Sequence, residues 1–164
     1  MNIKEELKIY IENNLNETTN FKQTRLMNRN FLEAEYFKTT PNEIDTYIQN
    51  EQTENKFQKL LFQFIDSKNL KDSDVYNKVN LDRRLFSKIR NDQNYHPSKE
   101  TIILLAISLN LKEDELLELL NSASYSLPKN NIFDLIIRFC FQKEIYDVNE
   151  INNLLYEYKC KTLN

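Results

Sequence analysis

The stretch Asp72-Ser-Asp-Val75-Tyr76-Asn-Lys-Val79-Asn80-Leu81-Asp82-Arg83-Arg84-Leu85-Phe86-Ser87-Lys88-Ile89-Arg90 holds the pattern from which the fold can be read. Val75, Tyr76 and Val79 fall on one side of a short helix that Asp72 is placed to cap. Asp82 is placed to cap a second helix, Arg83 to Arg90, whose apolar side is Leu85, Phe86 and Ile89. Between them stands Asn80, a residue type that tolerates positive φ because its short polar side chain can bond locally. The spacing therefore predicts two short helices packed closely through a tight turn. Once the buried side is removed, Asp82, Arg83, Arg84, Ser87, Lys88 and Asn91 point outward, with Arg90 flanking them.

Helical periodicity continues on both sides of this pair. Phe57, Leu60, Leu61, Phe64 and Ile65 form an apolar stripe that ends near Ser67-Lys68-Asn69. Pro97-Ser98 opens a helix bearing Ile102, Ile103, Leu105, Ala106 and Leu109, and Lys112 to Glu115 opens another bearing Leu116, Leu117, Leu119 and Leu120. Two more helices close the chain. One starts near Pro128 and carries Phe133, Ile136, Ile137 and Cys140; the other starts at a capping box, Asp147 to Glu150, and carries Ile151, Leu154, Leu155 and Tyr158. Near the start of the chain, Ile3, Leu7, Ile11 and Leu15 predict an amphipathic helix over 3–15. A polar loop then leads to Phe31–Phe37, which reads as either a short helix or an extended segment. Thr40-Pro41-Asn-Glu43 reads as the start of a helix carrying Ile44, Tyr47 and Ile48, and residues 50–55 as a linker. The expected fold class is all-α, with an acidic N-terminal extension over 1–55 and a helical domain over 56–164.

Residues 56–120 resemble the Cro and lambda-repressor (Xre-like) helix-turn-helix family. The resemblance rests on Val75, Asn80 at the position of the turn glycine, Leu81 after it, and Phe86 and Ile89 as the buried positions of the second helix. It extends to Pro97-Ser98, the aliphatic run Ile102 to Leu109, and the polar start at Lys112. Tyr76 stands where the family has a small residue. The whole layout is similar to small bacterial helix-turn-helix proteins with an N-terminal extension and two extra C-terminal helices. The resemblance implies a lambda-repressor-like bundle whose second helix enters the major groove of double-stranded DNA, and hence a regulator of transcription that works as a homodimer.

Charge along the chain is segregated. Of the net −3, residues 1–55 carry 6 Lys+Arg against 10 Asp+Glu, residues 56–98 carry 9 against 5, and residues 99–164 carry 7 against 10. A local surplus of four positive charges can attract phosphate on an acidic protein, because salt screens carboxylates beyond about 8–10 Å. The acidic first 55 residues suit a partner-protein arm or a shield over the basic face.

Several function classes are excluded by composition. With no glycine, the chain cannot build a P-loop, a dinucleotide-binding turn or a nucleophile elbow. One histidine, His96, and two cysteines, Cys140 and Cys160, do not make a common zinc site. Neither metal nor cofactor is expected, and the chain does not read as an enzyme. The longest apolar run, residues 131–141, is broken by Asp134 and Arg138 and falls short of the ~20 residues a membrane span needs. Cys140 in an apolar run, Cys160 in the C-terminal tail and the lack of a signal-peptide pattern point to the cytoplasm.

The candidate DNA contacts are Arg83, Arg84, Ser87, Lys88 and Arg90 on the second helix. Ser73 at the start of the first helix, and Asn94, Tyr95, Ser98 and Lys99 around the following loop, are candidate phosphate anchors. Arg can pair with guanine O6 and N7 together, whereas Lys and Ser serve bases or phosphates. A docking module for a partner protein is the other function that such a unit could serve.

Overall fold

The computed structural model describes residues 2–24, 44, 46 and 55–163. Among them eight helices and no strand are delimited: α1 (Ile3–Thr24), α2 (Lys56–Ser67), α3 (Asp72–Lys78), α4 (Arg83–Asn91), α5 (Lys99–Ser108), α6 (Glu113–Ser122), α7 (Ile132–Gln142) and α8 (Val148–Glu157). The all-helical class is the one the sequence implies. None of these helices is long and apolar enough to cross a membrane.

Most helices start on a side chain that accepts orphan backbone N–H groups. Asn55 accepts from Gln58 N at 3.0 Å, Asp82 from Arg84 N and Leu85 N at 2.7 and 3.1 Å, Ser98 from Thr101 N at 3.2 Å, and Asp147 from Asn149 N and Glu150 N at 2.8 and 2.9 Å. Two starts differ from expectation. Lys71 precedes α3, and Asp74 reaches back to the Lys71 N–H at 3.2 Å, so Asp72 lies inside the first turn and its carboxylate is released for another partner. α7 begins at Ile132, not near Pro128, because Asn131 supplies the cap by accepting from Asp134 N at 3.3 Å.

Helix ends impose a sharper constraint, since the chain has no glycine for the left-handed residue that usually stops a helix. Asn69, Asn80, Asn110, Ser124, Glu144 and Lys159 take that conformation instead, with φ between 48° and 61°. At each, the next residue's N–H returns to a carbonyl five residues back: Leu70 to Ile65, Leu81 to Tyr76, Leu111 to Ala106, Tyr125 to Leu120, Ile145 to Cys140 and Cys160 to Leu155, all within 2.8–3.2 Å. Each of these following residues packs on the core. The sequence reading anticipated the positive φ at Asn80 alone.

α5 is the centre of the bundle. Residues 102–108 are all buried, as a helix apolar on every side must be. α3 and α6 pack on it, α2 packs on α6, and α7 bridges α6 to α8. The apolar residues expected on α7 and α8 line this core: Ile136, Ile137, Cys140, Ile151, Leu154 and Leu155 are buried. Burial pushes the Cys140 thiol up to about 12, with Glu150 adding to the shift, so it packs as an apolar residue.

α1 outruns the expected 3–15 and continues to Thr24, because residues 16–24 contain neither Pro nor Gly to stop it. It docks on α7 through buried Leu7 and Ile11, and the Tyr10 ring lies 5.4 Å from that of Phe139. Ion pairs Glu6–Lys143 and Lys4–Glu157 flank this contact. The segment expected at Phe31–Phe37, the start at Thr40–Glu43, Tyr47, Ile48 and most of the linker lie outside the described residues; Ile44 and Thr46 are helical.

A left-handed residue with a Cβ costs on the order of 1 kcal/mol, which glycine avoids. Glu144→Gly and Lys159→Gly should therefore each raise the urea midpoint, by about 0.5–1 kcal/mol of stability, whereas Asn80→Gly should change it less. Phe86→Ala and Ile89→Ala should each lower stability by roughly 2–5 kcal/mol, read from the same unfolding curves.

Candidate nucleic-acid interface

α3 and α4 are joined through Val79, Asn80, Leu81 and Asp82, with Asn80 left-handed at φ 52°. Phe86 and Ile89 are buried on the inner side of α4. Tyr76 is half-buried and tilted against Phe86 at 5.7 Å, so its large ring fills the space between the two helices. Phe62 from α2 meets the same ring edge-on at 6.3 Å. Helix α4 is thus fixed from two sides while its outer face stays open.

Its far end is held as firmly. Gln58 on α2 donates its amide to the carbonyls of Ile89, at 2.9 Å, and Arg90, and Asn55 donates to the Gln93 carbonyl at 2.8 Å. These bonds satisfy carbonyls that the end of α4 would otherwise leave unpaired. They also tie the helix to α2. The outward side chains ride on a rigid support.

The structure sorts the expected contact residues into three groups. Arg83, Arg84, Ser87, Lys88 and Asn91 share the exposed face of α4, and among the described residues Arg83 and Arg84 form no ion pair. Ser87 receives the Asn91 amide, 2.9 Å from its carbonyl and 3.1 Å from its hydroxyl. Lys88 and Arg90 are exposed but engaged. The Lys88 ammonium sits 4.5 Å over the Tyr95 ring, and Arg90 pairs with Asp72 at 2.5 Å while lying 4.0 Å over the Phe62 ring. Tyr95 is half-buried and serves as this platform, and Asn94 is exposed beside it in the loop.

The third group is held by partners within the fold. Lys99 bonds Asp134 of α7 at 2.5 Å, so it braces α5 against α7 and does not join the outward face as a free cation. Ser98 caps α5 with its hydroxyl. Ser73 is half-buried and lies 3.5 Å from Asp74. Sequence spacing did not bring out Asp72 and Phe62 as partners of Arg90, since they stand 18 and 28 positions before it and only the packing of α2, α3 and α4 unites them.

A cleft of about 380 Å³ opens between α3 and α4, lined by Lys71, Asp72, Ser73, Tyr76, Arg83, Phe86, Ser87 and Arg90. On the other side of Arg90, a second cleft of about 520 Å³ is lined by Asn55, Gln58, Lys59, Phe62, Asn91 and Gln93. The first holds three cations, two serine hydroxyls and the Tyr76 phenol against one carboxylate. Among the described residues no group of His, Cys, Asp and Glu is arranged to hold a metal ion. His96 contacts the Ala123 carbonyl at 2.8 Å and lies tilted against the Tyr125 ring at 5.1 Å, which pins the loop after α4 to the end of α6. The chain matches no protein-family model, no curated protein and no solved structure.

Burial raises the Asp134 carboxyl above the usual range against the pull of Lys99, so its charged form burdens the fold and Lys99 offsets that burden. Lys99→Met should cost about 2 kcal/mol at neutral pH, less than for a fully enclosed pair because the ammonium is partly exposed. The loss should shrink as pH falls through the raised carboxyl range, since protonated Asp134 no longer needs a cation. Urea unfolding of both proteins across acid to neutral pH measures it.

Proposed function

We propose that this chain is a sequence-specific DNA-binding regulator, not an enzyme, in which α3 and α4 form a lambda-repressor-type helix-turn-helix and α4 enters the major groove of double-stranded DNA. The observation that carries the reading is the outer face of α4. Arg83, Arg84, Ser87 and Lys88 project together from a helix whose inner face is fixed by buried Phe86 and Ile89. Among the described residues no ion pair uses the two arginines, and a bidentate arginine discriminates guanine by roughly 1–3 kcal/mol.

The charge pattern supports the same reading, with the positive surplus of the chain confined to residues 56–98. Lys88 on its tyrosine platform and Ser87 suit phosphate and sugar contacts that set register on the duplex. One short helix in one groove rarely supplies enough affinity, so the active species is a homodimer reading two half-sites, without metal or cofactor.

Selection from random duplexes should enrich a short motif. On the selected duplex, Arg83→Ala and Arg84→Ala should each weaken binding by on the order of tenfold with melting unchanged, because exposed substitutions seldom move stability by more than about 0.5 kcal/mol. The logarithm of affinity should fall linearly with the logarithm of salt from ~50 to ~200 mM, by about 0.9 per phosphate contacted. Absence of an enriched motif together with flat affinity across salt would refute DNA binding and leave a protein-docking module in its place.

A further inference from the structure

The Asp72–Arg90 ion pair closes one side of a cleft whose other polar lining has the composition of an anion site. Lys71, Arg83 and Arg90 supply three positive charges, and Ser73 and Ser87 two hydroxyls, from α3 and α4. Among the described residues the only carboxylate in the lining is Asp72, and it sits on the Arg90 guanidinium at 2.5 Å. Asp74, nearby on α3, is turned to the Lys71 N–H at 3.2 Å and to Ser73. Asp72 is not spent on capping, since Lys71 precedes the helix and Asp74 answers its N–H. Arg90 has a second hold on its position. Its guanidinium lies 4.0 Å over the Phe62 ring, so losing the carboxylate would not set the side chain adrift.

We propose that this cleft is a phosphate-binding site in which Asp72 is the internal competitor. In the unliganded protein the Asp72 carboxylate occupies the guanidinium edge of Arg90; an arriving phosphate takes that edge, while Lys71, Ser73 and Ser87 meet its other oxygens and the Arg83 charge adds to the attraction. Arg favours this exchange because its planar fork binds carboxylate and phosphate with the same geometry. The exchange rests on the DNA-binding reading for its source of phosphate, the duplex backbone flanking α4.

The test uses the full chain, with wild type, Asp72→Asn, Arg90→Gln, the double variant, and Asp66→Asn as a control that removes an equal exposed charge elsewhere. Anisotropy on the selected duplex should show Asp72→Asn binding about three- to fivefold more tightly than wild type, a gain on the scale of one exposed ion pair. The gain should exceed that of Asp66→Asn and fall to the Asp66→Asn level in the Arg90→Gln background. If asparagine disturbs α3, Asp72→Ser repeats the measurement. Equal or weaker binding by a folded Asp72 variant would overturn the proposal and leave the pair as a brace between helices.

An arm without DNA separates the two readings. Inorganic phosphate at matched ionic strength should shift the Arg90 side-chain Nε–H resonance, and more strongly in Asp72→Asn than in wild type. That shift without duplex binding by any variant would uphold the site and refute the DNA source. Absence of the shift in both proteins would refute the site itself.

Discussion

Six of the described helices end on a residue forced into the left-handed region without the help of glycine. A helix that stops in this way satisfies two of its last carbonyls and turns the chain back sharply. The residue after the turn is apolar at each of the six sites and drops onto the core. Burial of Leu70, Leu81, Leu111, Tyr125, Ile145 and Cys160 offsets the strain of a Cβ in that conformation. Asparagine at three sites lowers the strain by bonding locally; Glu144 and Lys159 have no such help and rely on their neighbours Ile145 and Cys160. The turn at Asn80, which aims α4, is one member of this set.

The same economy of loops governs the exposed face of α4. Because the connection is so short, α4 cannot rotate about its axis without lifting Phe86 and Ile89 from the core. Its direction is therefore decided by packing that lies beneath it, with Gln58 and Asn55 of α2 holding its end. Cations on this platform fall into two kinds. Among the described residues Arg83 and Arg84 form no ion pair, whereas Lys88 and Arg90 rest on aromatic rings that hold them in place, and Arg90 is also paired with Asp72. A ring attracts a cation but leaves its hydrogen bonds available, so these residues remain able to bind an anion.

The first turns of the acidic N-terminal segment lie on α7, with Glu6 on Lys143, Lys4 on Glu157, and Leu7 and Ile11 in the core. They are therefore engaged with the C-terminal helices, while the positive surplus along the chain falls in residues 56–98. Anion attraction at that surplus survives the overall −3 because screening acts over about a nanometre.

Periodicity and caps determined much of this structure from the sequence alone. The apolar spacing set the helices from α2 to α8, Asp82, Ser98 and Asp147 marked three of the starts, and Asn80 announced its own positive φ. These are local properties: a cap bonds within three residues and a stripe repeats every three or four, so both are legible without a fold. The outward set on α4 was legible for the same reason, since burying one side of a short helix fixes the other. Tertiary structure alone decided which of these cations are engaged. Lys99 turned to Asp134, Arg90 to Asp72 and Phe62, and Lys88 to Tyr95, and the docking of α1 on α7 was equally out of sight. A charged side chain on a flexible stem finds whichever partner packing brings within a few ångströms, and no periodicity along the chain records that distance.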